Sequence, residues 1–134
     1  MNTQEKTELM RILGQKKDLL TQMLGLTKQI EDELLQDRIS DFEATIKARQ
    51  SLIAQIDALT GAERAFNADD DATVQEVKKD IRNIVAQMLE LDEKNTALAQ
   101  QKLESYRARI RRINQTKQGV GAYGRSMNAG NAYF

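Results

Sequence analysis

Apolar residues recur at helical spacing along most of the chain, with polar residues filling the positions between them. In the first third, Leu9, Leu13, Leu20, Met23, Ile30 and Leu34 follow alternating steps of four and three. Lys16 and Thr27 interrupt the series, standing where two more apolar residues would fall. Ile12, Leu19 and Leu26 widen the stripe, which suits a helix packed against two neighbours rather than one. This predicts a first helix over residues 4–36. Gly14 and Gly25 lie inside it and leave two readings open: close helix contact or a bend, or simple tolerance within a long helix.

The pattern breaks at Asp37-Arg38-Ile39, and Ser40-Asp41-Phe42-Glu43 then has the form of a capping box. A second helix is expected over 41–60, carrying Phe42, Ile46, Ile53, Ile56 and Leu59 inward and ending at Thr60-Gly61. A short connection makes it antiparallel to the first. Residues 61–72 read as a loop with Phe66 as a plug against the bundle end. Thr73-Val74-Gln75-Glu76 reads as a second capping box.

The third helix is expected over 74–117, about 65 Å long at 1.5 Å per residue. Its seam runs Val74, Val77, Ile81, Ile84, Met88, Leu91, Asn95, Leu98, then slips phase to Ala99, Leu103, Tyr106, Ile110, Ile113 and Val120. The slip from Asn95 to Ala99 is a four-residue stutter, which locally unwinds a supercoil. The expectation is an all-α, antiparallel three-helix bundle over 1–118, with a flexible Gly-rich tail over 119–134.

The third helix is about twice as long as the second, so part of its seam calls for a partner from outside. The chain can dimerise through this helix as a coiled coil, or accept a helix of another protein into a groove. The expected contact residues are Met88, Leu91, Asn95, Leu98, Leu103, Tyr106, Ile110 and Ile113. In the tail, Val120, Tyr123 and Met127 would share one face if it folded on a partner. Tyr123, Met127, Tyr133 and Phe134 are therefore candidates for a docking segment.

Composition narrows the chemistry. The chain has no Pro, Cys, Trp or His. Without Cys and His it lacks the usual ligands for zinc, copper or iron, the thiol nucleophile and the imidazole base. No enzymatic activity, metal or cofactor is expected. Asp69-Asp70-Asp71 lacks the spaced ligands, Gly and distal Glu of an EF-hand loop and reads as helix N-terminal acid. The polar N-terminus lacks the order of a signal peptide, and no apolar run could span a bilayer, so a cytosolic protein without membrane insertion is expected.

Charge is balanced at 20 against 20 but unevenly placed. Residues 102–134 hold seven basic residues and one acid, Glu104, a local net charge of +6, and residues 1–101 carry −6. The run SYRARIRRINQTK raises nucleic-acid binding as an alternative. Its arginines, however, alternate with Tyr106, Ile110 and Ile113 on a packing face, and no nucleic-acid partner is expected. Gly119, Gly121 and Gly124 spell GxGxxG, but a helix precedes them and only ten residues follow, so the strand–turn–helix context of a dinucleotide site is missing.

LELDEKNTALAQQKLESYRARIRRIN (89–114) resembles the long last helix of flagellar type III export chaperones of the FlgN kind. In that family a Leu–x–x–x–Asn–x–x–Leu core is followed by basic and apolar positions, and Leu91, Asn95 and Leu98 stand on it. LLQDRISDFEATIKARQSLIAQIDAL (34–59) is similar to the family's hairpin of first and second helices, and the Ala-Tyr and Tyr-Phe of the tail look like its ends. The sister FliT-type chaperones share the architecture. The resemblance implies a cytosolic chaperone that uses no ATP. It would bind the C-terminal helical segment of hook–filament junction (hook-associated) proteins, keep them unassembled and deliver them to the export gate or export ATPase. The alternatives are a self-associating coiled-coil adaptor, with the homodimer as its simplest form, or a nucleic-acid-binding helical protein.

Overall fold

The computed structural model describes residues 1–67 and 70–121, with side chains as far as Thr116. It contains three helices: α1 (Thr3–Leu35), α2 (Ile39–Glu63) and α3 (Ala72–Gly121). The chain divides into two compact units, Met1–Thr96 and Ala97–Phe134, and α3 contributes to both. The boundary falls at the stutter between Asn95 and Ala99.

The first unit is an up-down-up bundle. Leu9, Leu13, Leu20 and Met23 of α1 meet Ile56 of α2 and Val74, Ile81 and Met88 of α3 in one core. On α3 the buried residues Val74, Ile81, Met88 and Asn95 recur every seven positions, with Val77, Ile84 and Leu91 half-buried between them. That repeat keeps a single seam facing α1. Ile12, Ile30 and Leu34 of α1 are buried as well, as a helix with two neighbours requires. Phe66 packs against the core from the α2–α3 connection, as expected.

α2 keeps most of its expected inward face, with Ile56 buried and Phe42, Ile46 and Leu59 half-buried. Ile53 is 36% exposed, while Leu52 packs against the core and Thr45 is buried. Phe42, Thr45, Arg49, Leu52, Ile56, Leu59 and Glu63 form a run of threes and fours on this face, with Ile46 half-buried beside them. Thr45, Arg49 and Glu63 are polar, so apolar periodicity finds only part of the face. Thr60-Gly61 does not end α2, which continues to Glu63.

The helix ends also differ from the two expected capping boxes. Asn2 caps α1: its Oδ1 accepts from the Glu5 amide at 2.7 Å. α1 stops where Asp37 takes a positive φ of 57°. The Asp37 amide then donates to the Leu34 carbonyl at 3.3 Å and the Arg38 amide to the Glu33 carbonyl at 2.8 Å, a Schellman closure. This tight turn places Ile39 in the first position of α2, so Ser40 is already helical and no side chain caps α2. The Arg38 guanidinium instead pairs with Asp41 in the first turn at 2.7 Å. At α3 the cap is Asp71, not Thr73: Asp71 Oδ1 accepts from the Val74 amide at 3.0 Å.

Lys6 pairs with Asp71 at 2.9 Å. The hydrogen bond from Lys6, joined by those from the Val74 and Thr73 amides, holds the Asp71 carboxyl below its ordinary value. Such a group adds stability above its unfolded pKa of about 3.9, and loses that contribution as pH falls through the folded value. Asp71→Asn keeps a cap but drops the charge, whereas Asp71→Ala drops both. Urea midpoints at pH 7 are expected in the order wild type, Asn, Ala. The gap between wild type and Asn is expected to close as pH is taken toward 3, and a gap unchanged by pH contradicts this account.

A methyl group added at Gly14 or Gly25 would meet nothing within 4 Å. Neither glycine marks a close helix approach, leaving only its helix penalty. Gly25→Ala is expected to raise unfolding free energy by about 0.5–1 kcal/mol in urea titration.

Candidate functional site

The expected contact residues fall into two groups. In the first unit, Met88 and Asn95 are buried and Leu91 is half-buried. In the second, Leu98, Tyr106 and Ile110 are half-buried, while Leu103 and Ile113 are exposed at 49% and 40%. Val120, Tyr123, Met127, Tyr133 and Phe134 do not enter this geometry: the side chain of Val120 and all of the other four lie outside the described residues.

Asn95 sits in a seam position and its amide crosses to α1. Nδ2 donates to the Thr27 carbonyl oxygen at 3.0 Å. A carbonyl can only accept, which fixes the orientation of the Asn95 amide. Thr27 is fully buried, and its hydroxyl donates back to the Met23 carbonyl at 2.8 Å. The polar interruption of the α1 stripe therefore faces the polar interruption of the α3 seam. Asn95 belongs to the bundle interior, which removes it from direct surface contact.

Other polar side chains join the helices nearby. Glu33, 1% exposed, has Oε2 at 2.9 Å from Thr45 Oγ1, and Gln29 Nε2 lies within 3.3 Å of both. Thr45 Oγ1 is equally close to the Asp41 carbonyl, and its single proton serves one acceptor at a time. Arg49 of α2 reaches Asp92 of α3 at 2.7 Å. Lys16, the other interruption of the α1 stripe, pairs with Glu63 of α2 at 2.9 Å, and Lys17 pairs with Asp80 of α3 at 3.1 Å. Glu33 Oε1, Arg49 Nε and Asn95 Oδ1 are buried with no hydrogen-bond partner. These pairs fix how the helices of the first unit align. Among the described residues no group of three or more carboxylates is placed to hold a metal ion.

The second unit presents a different chemistry. Leu103, Tyr106, Ile110 and Ile113 follow steps of three, four and three along α3. Arg107, Arg109, Arg111 and Arg112 are exposed beside them. The Arg109 guanidinium lies over the Tyr106 ring, 5.5 Å from its centroid, close enough for a cation–π contact. An apolar row with cationic borders can take up an amphipathic helix. Sequence reasoning found the row but not the inward Thr45, Arg49 and Glu63 of α2, whose only signal is a spacing of threes and fours irrespective of polarity.

Comparison with protein-family models, with curated proteins and with solved structures finds no match. Among the described residues no helix is long and apolar enough to cross a membrane.

Asn95→Ala removes the bond to Thr27 and some packing. It is expected to cost about 1–2 kcal/mol in denaturant unfolding. Loss of binding by this variant without loss of stability would put Asn95 back at the surface.

Proposed function

We propose that this protein is a helix-binding chaperone that captures a helical segment of a client along Leu103, Tyr106, Ile110 and Ile113, flanked by Leu98. The observation carrying the proposal is the apolar row of Leu103, Tyr106, Ile110 and Ile113 at steps of three and four on one helix, with Leu103 and Ile113 exposed and arginines beside it. Met88 and Asn95 then act from within the bundle, setting the alignment of the helix that bears the row. Leu91, half-buried, stands between the two roles.

The resemblance to the FlgN-kind export chaperones supplies the client class. Acting in the cytosol, the chain would hold the C-terminal helical segment of a hook–filament junction protein unassembled and hand it to the export gate or ATPase. No cofactor or catalytic step enters this role, since capture and release of a helix require only reversible burial of apolar surface.

The test uses purified full-length chain and C-terminal segments of hook–filament junction proteins, read by calorimetry. The wild type is expected to bind. Leu103→Asp combined with Ile113→Asp is expected to keep its unfolding free energy within about 0.5 kcal/mol, because both positions are exposed, and to lose binding. A folded double variant that binds like wild type refutes the proposal.

A further inference from the structure

The flanks of the apolar row say what kind of helix fits it. Written as a heptad, Leu103 and Ile110 take position a, and Tyr106 and Ile113 take position d. The positions bordering the seam are then Lys102 and Arg109 on one side and Arg107 and Asn114 on the other. No acid stands at any of them; the nearest one, Glu104, falls on the outer side of the helix. In paired helices these bordering positions set partner choice through charge.

A second copy of this segment is a poor occupant. In a parallel pair, Lys102 of one copy would face Arg107 of the other. In an antiparallel pair each border would face its own kind, cation against cation or against Asn114. Like charges in such positions destabilise the pair. The row therefore combines an apolar attraction with a built-in rejection of itself.

We propose that the occupant is an acidic amphipathic helix of another protein, with apolar residues at a and d and Asp or Glu along both borders. Arg109 is held against Tyr106 at 5.5 Å and so stands at the edge of the seam, presenting a planar donor fork to an incoming carboxylate. Arg107 is exposed on the opposite border, and Arg111 and Arg112 extend the positive field that draws an acidic segment in. This inference rests on the helix-binding function proposed above and adds the charge of the client segment.

Two labelled three-heptad peptides test it against the full-length chain by fluorescence anisotropy. They carry identical Leu and Ile at a and d, with Glu at every border position in one and Lys in the other. At low salt the Glu peptide is expected to bind about tenfold or more tightly than the Lys peptide, from the sum of several weak border pairs, with the difference shrinking as salt is raised. Arg107→Glu combined with Arg109→Glu, both at exposed positions, is expected to reverse the preference. Equal binding of the two peptides, or a preference that survives the charge reversal, overturns the acidic partner while leaving helix capture standing. Binding of neither peptide, or undiminished binding by the Leu103→Asp, Ile113→Asp variant, overturns helix capture itself. Displacement of the Glu peptide by poly(U) RNA that also binds that apolar double variant would make the segment a general polyanion site and overturn both. Concentration-dependent dimerisation abolished by the apolar double variant would install the second copy as occupant and overturn the acidic client.

Discussion

The bond from the Asn95 amide to the Thr27 carbonyl is the constraint around which the bundle is arranged. An apolar seam alone tolerates sliding by a heptad, because Val74, Ile81 and Met88 are similar in character and evenly spaced. A buried amide that finds an acceptor in only one alignment removes that freedom. A Leu in its place would bury more apolar surface and leave no buried Oδ1 unpaired, so the value of Asn95 lies in specificity more than in net stability.

Around it, each pair of helices has its own polar key. α1 and α2 share Lys16–Glu63 and Glu33–Thr45, α1 and α3 share Lys17–Asp80, and α2 and α3 share Arg49–Asp92. The most exposed of these, Lys17–Asp80, contributes at most about 1 kcal/mol to stability. The more buried pairs exclude alternatives strongly, since a shifted helix would strand a charge away from water. The second unit obeys the opposite logic. Two members of its apolar row, Leu103 and Ile113, are exposed, and its charges share one sign along the seam borders.

The α1 and α3 stripes were legible in the sequence because they are apolar and periodic, and their members are buried or half-buried in the first unit. The face of α2 was legible only in part: Phe42, Ile46, Ile56 and Leu59 are inward as their spacing indicates, but Thr45, Arg49 and Glu63 share that face, paired with Glu33, Asp92 and Lys16. The turn was misread for a related reason. Ser40-Asp41-Phe42-Glu43 matches a capping pattern, yet the closure at Asp37 determines where α2 begins. Asn2, three residues before Glu5, does cap a helix, by accepting from the Glu5 amide. In the candidate site, the exposure of Leu103 and Ile113 agrees with a seam longer than its neighbours, whereas Met88 and Asn95 carry the same periodicity for interior packing. Periodicity cannot separate the two roles.

The tight turn at Asp37 has a consequence during synthesis. It joins α1 to α2 through only a few residues, so the hairpin can close soon after α2 leaves the ribosome. Asn95 lies 68 residues after Thr27. At ordinary elongation rates of about 5–20 residues per second, roughly 3–14 s separate the appearance of the two partners. Until α3 begins at Ala72, the nascent chain holds Leu9, Leu13, Leu20 and Met23 with no third helix to cover them. The most vulnerable moment for this chain is therefore before its last helix is made, when it is itself an unprotected apolar surface.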